Sequence, residues 1–347
     1  MSWDPNAAAT TRPSAIDAAV WSPCNRFIAV TWRGTVTVDV LDSVTLQRLQ
    51  TLKSPQDVPT MFRELAFSPD SRVLTYAGCT HRGQGVFVVS WDLQTGGIAS
   101  TIWQYVSGWA GAAGKAGRPP PPRYIPRKLS ITANGGVVGV HTHRSNVNAD
   151  TPNTFIFDVA SGVYTHSHSF GSQKNPLLGN IWTQGEFLRF ATANTTSITI
   201  WEVGSTPDAT PKEVRTLPAP GGFDLAELPV QLLPAPCRLA LVAEEEVLVW
   251  DTLNSKFLLR RGELEASDNT KMCFSSNGRF FAYSTIGSEI PLWKESPTGY
   301  VLHQKFASST PYPEVLLSPN GERIIAFGGP TIRSWRTEGP TTPPPDI

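Results

Sequence analysis

Four histidines stand in two His-x-His pairs, His141-Thr142-His143 and His166-Ser167-His168. Alternate residues of an extended strand share a face, so each pair sets two imidazoles on one side of a strand or loop, the beginning of a zinc site. Zinc wants three or four converging ligands, and no Cys or Glu joins either pair at a recognisable spacing. The pairs therefore read as surface or loop histidines, and no metal is expected. Gly108-Trp109-Ala110-Gly111-Ala112-Ala113-Gly114-Lys115-Ala116 has the outline of a phosphate-binding loop. Trp109 stands where that loop needs a glycine, Ala116 where it needs a hydroxyl for Mg²⁺, and no helix follows to hold phosphate. No Gly-x-Ser-x-Gly elbow occurs, and Cys24, Cys79, Cys237 and Cys273 lie far apart with no Cys-x-x-Cys spacing. No catalytic residue and no cofactor are expected.

The elements that would carry these residues announce themselves by a repeat. Short apolar runs enter tight polar turns at Ser22-Pro23-Cys24-Asn25, Ser68-Pro69-Asp70-Ser71, Thr132-Ala133-Asn134-Gly135, Thr183-Gln184-Gly185-Glu186, Pro234-Ala235-Pro236-Cys237, Ser275-Ser276-Asn277-Gly278 and Ser318-Pro319-Asn320-Gly321. Their first residues are spaced by 46, 64, 51, 51, 41 and 43 positions, a period that means a repeat architecture. In the clearest unit, Leu65 to Phe67, Val73 to Ala77, Val86 to Asp92 and Ile98 to Trp103 are β-branched and aromatic runs divided by Gly, Pro and Asp. That is the pattern of a four-stranded antiparallel meander. One such sheet cannot bury both faces, whereas a ring of them can. The chain is expected to be all-β, a seven-bladed β-propeller of four-stranded antiparallel blades.

Trp91-Asp92 recurs as Trp250-Asp251, and with a changed second residue as Trp201-Glu202, Trp293-Lys294 and Trp335-Arg336; Phe157-Asp158 takes the place in the third unit. The chain here resembles the Trp-Asp (WD-repeat) propeller family over about Ala18 to Thr337. The first unit, Val36 to Asp42, lacks the aromatic. No unit carries the Gly-His pair common in that family, so the resemblance does not extend to its buried Asp-His-Ser-Trp network, and apolar packing between blades is expected to dominate. Pro291 is expected to bring a bulge or weakened pairing. The phrasing of the last two units resembles WD-repeat chains of filamentous fungi.

Blades are expected near residues 18–52, 64–103, 128–170, 179–217, 228–264, 271–306 and 314–337. After Trp335 the prolines 340 and 343–345 cannot join a ladder. A segment within residues 1–17, at Asn6 to Arg12, is expected to close the last blade as in related propellers, and 338–347 reads as a disordered Pro-rich tail. Net charge is zero and the charged fraction 17%, against a general electrostatic grip on nucleic acid. No secretory signal precedes the first unit, and no apolar run approaches the ~18 residues of a membrane span. Four unspaced cysteines suit a cytoplasmic protein.

In such a propeller the fourth-to-first and second-to-third connections share the top face. The longest, Gln104 to Lys128, holds Lys115, Arg118, Arg123, Arg127 and Lys128 with no acid, besides the run Pro119 to Pro122. Loops at Gly78 to Gly85 and at His141 to Asn153, with His141 and His143, and the connection Pro218 to Glu227 share that face. Four residues before their turns, Glu64, Lys128, Lys271 and Glu314 mark the mouth of the channel. Long loops on a rigid scaffold carry binding. The expectation is a non-catalytic scaffold, a monomeric propeller within a complex, that binds protein or peptide partners on its top face, with neither nucleic acid nor membrane. The alternatives are the sensing portion of a larger fungal receptor with a nucleotide-binding switch, or a propeller-type hydrolase or lyase.

Overall fold

A computed structural model describes the chain between residues 8 and 338, save for 12–13, 36, 55–59, 81–84, 106–122, 132–136, 146–153, 159–163, 169–176, 185–186, 194–195, 205–210, 221–222, 224, 226–229, 234–237, 244–245, 262–269, 288, 309 and 311–312. Every regular element among the described residues is a strand. β1 (Ala8–Thr11) comes first. Blade one is β2 (Ile16–Trp21), β3 (Phe27–Trp32), β4 (Thr37–Asp42) and β5 (Arg48–Lys53); blade two is β6 (Thr60–Phe67), β7 (Val73–Thr80), β8 (Gly85–Asp92) and β9 (Ile98–Tyr105). Blade three is β10 (Arg123–Ile131), β11 (Val137–Ser145), β12 (Thr154–Asp158) and β13 (Tyr164–His168). Blade four is β14 (Leu177–Gln184), β15 (Phe187–Ala193), β16 (Ser197–Val203) and β17 (Lys212–Pro218). Blade five is β18 (Val230–Leu233), β19 (Arg238–Ala243), β20 (Glu246–Asp251) and β21 (Lys256–Arg261), and blade six is β22 (Met272–Phe274), β23 (Phe280–Tyr283), β24 (Glu289–Ser296) and β25 (Gly299–Ala307). The chain ends its strands with β26 (Glu314–Leu317), β27 (Arg323–Gly328) and β28 (Thr331–Arg336).

The expectation of seven blades, each a four-stranded meander, is corrected here. Among the described residues six blades, not seven, are runs of four consecutive strands; from Glu314 onward the chain supplies three, in a closing sheet of order β1-β28-β27-β26. Its reason is chemical, since a strand continuing past Arg336 would run into prolines that cannot donate to a ladder. β1 instead pairs antiparallel with β28, from Ala8 opposite Ser334 to Thr11 opposite Thr331. The next turn of chain is tied to the same sheet, where Ile16 N donates to Gly329 O at 2.8 Å. First strands touch their neighbours around the ring, β2 to β6, β10, β14, β18, β22, β26 and back to β2, which places them at the axis.

Four of the turns share one physical cause. Ser22, Ser68, Ser275 and Ser318 are buried, and each hydroxyl accepts the backbone N–H five residues on, at Phe27, Val73, Phe280 and Arg323, all at 2.9 Å. The fourth turn residue takes a left-handed φ, 62° at Asn25, 62° at Ser71, 71° at Gly278 and 77° at Gly321. Asn and Gly tolerate that conformation best. These turns also bond from blade to blade: Cys24 N to Ser71 Oγ at 3.0 Å, Asn320 N to Asn25 Oδ1 at 3.1 Å and Ser276 N to Pro319 O at 3.2 Å.

A second rhythm is invisible in the sequence. The pairing of third with fourth strand slips at Val40/Leu41, Ser90/Trp91, Ile156/Phe157, Ile200/Trp201, Val249/Trp250 and Leu292/Trp293. Each bulge sits just before the repeat's aromatic position, which Leu41 fills in blade one. The irregularity expected of Pro291 is thus a property of every complete blade. Pro291 itself stands opposite Lys305, while the β23 ladder stops at Leu292.

Aspartates after the aromatic close the next hairpin. Asp42 Oδ1 accepts Val44 N at 2.9 Å and Thr45 N at 2.8 Å; Asp92 Oδ1 accepts Gln94 N and Thr95 N, and Asp251 Oδ1 accepts Leu253 N and Asn254 N. Backbone N–H groups of Thr45 and Thr95 foremost hold Asp42 and Asp92 below the usual carboxylate range. At Asp251 partial burial opposes the shift, and the amides of Asn254 with the Leu253 N–H overcome it. A carboxylate whose folded pKa is depressed stabilises fully above its unfolded pKa of about 4 and loses that contribution as pH falls through the folded value. We therefore expect Asp42→Ala combined with Asp251→Ala to lower the urea midpoint at pH 7 and to change it little at pH 2. A midpoint shift of equal size at both pH values would show that the charge is irrelevant to these turns.

Between blades lie apolar layers. Blades one and two share Val38, Val40 and Leu52 with Leu65, Phe67, Tyr76 and Trp91, and blades four and five share Ile198, Ile200 and Leu217 with Leu239, Leu248 and Trp250. Trp293 packs toward blade five and Trp335 toward blade six, so each tryptophan seals its own blade against the preceding one. The polar exceptions differ from blade to blade. In blade one Trp32 Nε1 donates to the buried Asp39 Oδ2 at 2.8 Å, and Thr51 Oγ1 to Asp39 Oδ1 at 2.7 Å. Across blades five and six, the buried Arg238 donates to Gly278 O at 2.6 Å and Tyr300 Oη at 2.5 Å, and pairs with Glu295.

Candidate interaction surface

The inner strands of blades two and three are long. β6 to β9 have 8 residues each and β10 and β11 have 9, whereas β12 and β13 have 5. β11 pairs with β12 only from Val137 to His141, but with β10 up to Ser145, opposite Arg123. The first four residues of β10, Arg123 to Pro126, and the last four of β11, Thr142 to Ser145, thus form a two-stranded ribbon reaching roughly 13 Å beyond the outer half of the blade, at about 3.4 Å per residue. A register shift between Pro126 and Lys128 lies at its base. Pro126, opposite Thr142 beside this shift, has no N–H to give the ladder.

This geometry relocates several residues expected in loops. The connection expected over Gln104 to Lys128 is shorter, because β9 runs on to Tyr105 and β10 begins at Arg123. Arg123, Arg127 and Lys128 are strand residues, as are His141 and His143 on β11. A strand forms there because Tyr124, Ile125, Val138 and Val140 continue the apolar pattern to both sides of the turn. Lys115 and Arg118 lie outside the described residues, as does most of Gly78 to Gly85 beyond β7. From residue 93 to 149 the chain has no Asp or Glu, yet it has six cations: Lys115, Arg118, Arg123, Arg127, Lys128 and Arg144. In a chain of zero net charge such segregation concentrates positive potential on one side.

The four charges expected at the channel mouth do not act as a set. Lys271 Nζ and Glu314 Oε1, from blade six and the closing sheet, pair at 3.4 Å with both side chains about half exposed, a contact of little energetic weight. Glu64 stands on β6 opposite Ala77, and Lys128 on β10 opposite His141. The structure brings Lys128 together with the ribbon cations in sequence and register, and leaves Lys271 and Glu314 neutralising each other on the far side of the ring.

No family model matches the sequence, and no curated protein matches it. Solved structures do. The Myceliophteria thermophila Cps50 (Swd1) β-propeller domain is similar with TM-score 0.62 and 14% identity, over 94% of this chain and 98% of that one. The WD40 repeats of RRP9 match at TM-score 0.62 and 10% identity, over 95% and 97%. This chain has the WD40-repeat propeller fold. A chain of the Mitotic Checkpoint Complex is a further neighbour, at TM-score 0.56 and 15% identity over 94% of this chain and 90% of that one. At these identities the likeness to other WD40 propellers concerns fold alone, so the use of this one rests on its own surface.

Proposed function

We propose that the chain is a non-catalytic interaction scaffold that docks an acidic protein or peptide segment on the top of blades two to four. The observation that carries this reading is the β10–β11 ribbon, which holds Arg123 and Arg144, with Arg127 and Lys128 at its base, in a stretch of chain that has no carboxylate. Extended ribbons and loops on a rigid ring recognise partners without reorganising the ring. The reading includes Lys115, Arg118 and Pro119 to Pro122, which adjoin β10 in sequence, with His143 in the ribbon and His141 at its base. The reading includes a cytoplasmic, fungal-type protein working as a single propeller inside a complex.

Affinity capture from the native cell with the wild-type chain and with Arg123→Glu/Arg127→Glu/Lys128→Glu tests it. The triple variant is expected to lose the captured partners while keeping its thermal midpoint within a few degrees. Raising salt should weaken wild-type capture, since exposed charges are screened over about 10 Å at 0.1 M. Equal capture by both proteins would sink the assignment.

A further inference from the structure

Two cations of blade six meet at one oxygen. Arg279 Nη2 lies 2.7 Å and Lys294 Nζ 2.6 Å from Oε1 of Glu338, and all three side chains are a third to a half exposed. Elsewhere on the surface, Lys271 with Glu314, Arg260 with Glu246 and Lys305 with Glu289 join one cation to one acid. Glu338 is not what assembles the two cations. Phe280 is buried and stands opposite Lys294 in the β23–β24 ladder; the Arg279 guanidinium lies 5.3 Å and the Lys294 ammonium 6.0 Å from its ring centroid. The backbone fixes Arg279 as well, since its N–H donates to Asn277 Oδ1 at 3.0 Å and its carbonyl accepts Glu295 N at 2.8 Å. Between Met272 and Ala307 the chain has two acids, Glu289 and Glu295, and both are taken, by Lys305 and by Arg238. Blade six alone therefore presents two adjacent positive charges that its own acids leave unbalanced.

The anion comes from the closing sheet. Thr337, just after β28, is buried and anchored three ways: its N–H donates to Glu322 O at 2.9 Å, its hydroxyl to Gly321 O, and its carbonyl accepts His303 Nε2 at 2.9 Å. This anchor delivers Glu338 to the cradle, where Lys294 foremost and then Arg279 hold its carboxyl below the usual carboxylate range. One positive charge is left over. A guanidinium fork and an ammonium converging on a single point are the donors proteins use for phosphate oxygens. A phosphate group on a side chain carries about −1.5 to −2 at pH 7 and three strong acceptors, so it balances both cations, whereas the single charge of Glu338 balances one.

We propose that Arg279 and Lys294 form a binding site for a phosphate group, and that Glu338 is its built-in competitor, filling the cradle until the incoming anion displaces it. Arg279 follows the β22–β23 turn, at the opposite end of the blades from the β11–β12 connection toward which the ribbon extends. The site is thus independent of the docking reading and stands even if the ribbon binds nothing.

The test is calorimetric titration of the purified full chain at low ionic strength with inorganic phosphate, and with a phosphothreonine peptide beside its unphosphorylated form. Glu338→Gln should bind about tenfold tighter than wild type, the gain expected where the carboxylate fills the cradle about nine-tenths of the time. Adding Arg279→Gln should abolish that gain. Tighter binding of the phosphopeptide than of phosphate assigns the site to a phosphorylated partner, and the reverse order assigns it to the free anion. If Glu338→Gln binds neither probe, binds both no better than wild type, or keeps its gain after Arg279→Gln, the proposal is overturned. The variants are expected to melt within a few degrees of wild type, because exposed pairs contribute little to stability.

Discussion

Arg238→Leu is expected to cost about 3 kcal/mol of unfolding free energy, read as a lowered urea midpoint, since breaking a buried charge pair from one side costs about 3–5 kcal/mol. The lower end applies because Glu295 keeps 42% of its side chain exposed and can rehydrate. Arg238 is itself buried, and its guanidinium reaches three groups of the neighbouring blade: the turn carbonyl of Gly278, the phenol of Tyr300 and the carboxylate of Glu295. Burial works against its charge, but Glu295 foremost and then Tyr300 outweigh it and raise its pKa. Burial likewise pushes the Tyr300 phenol up to about 12, so this hydroxyl stays protonated and donates to the Gly278 carbonyl that Arg238 also uses. Arg238→Lys should recover little, because one ammonium cannot span the fork that serves these partners. Glu295→Gln should be mild, within about 1 kcal/mol, as befits a half-exposed acid. An Arg238→Leu protein as stable as wild type would mean that packing alone holds blades five and six together.

Trp250→Ala is the second large effect, expected at about 3–5 kcal/mol from lost burial and the cavity left behind. The ring is 9% exposed, stacks edge-on to Phe257 with centroids 4.7 Å apart and seals the layer between blades four and five. Its Nε1 is buried without a hydrogen-bond partner, so no polar bond is lost and Trp250→Phe should be tolerated far better. Trp32→Phe makes the opposite case. It would strip Asp39, 1% exposed, of the indole donor at 2.8 Å, and a buried acceptor left short costs about 1–3 kcal/mol. Comparing the two Phe variants in one denaturation series separates packing from hydrogen bonding. Equal losses at both sites would contradict the distinction.

What could be read from residues alone was what local chemistry decides. Ser-Pro-x-Ser and Ser-x-Asn-Gly turns carry their own reason to turn, and they located the hairpins between first and second strands. The bulge before each aromatic left no trace, because it belongs to a pairing between strands and Leu41 serves as well as Trp250. Pro291 drew attention for a disruption that its neighbours show without proline. Arg238 gave no signal either: its partners lie 40, 57 and 62 residues away. The same limit applied to the surface. Arg123 and His143 read as loop residues, since nothing local tells a long ribbon from a polar connection. The pairing of Lys271 with Glu314 has no local signal, because it depends on two strands from different units meeting at the axis.

The closing sheet has a consequence for the making of the protein. Ala8 and Ser334 are partners in one ladder, so β1 leaves the ribosome long before the strand it completes has been synthesised. At about 5–20 residues per second the interval is roughly 15–65 s, far longer than a hairpin takes to form. Throughout that time the first blades can assemble while β1 remains an unmatched strand and the ring an open arc with two bare ends. A nascent chain of this kind is exposed to rescue by chaperones, or to pairing with another chain's β28, until its own last strands arrive.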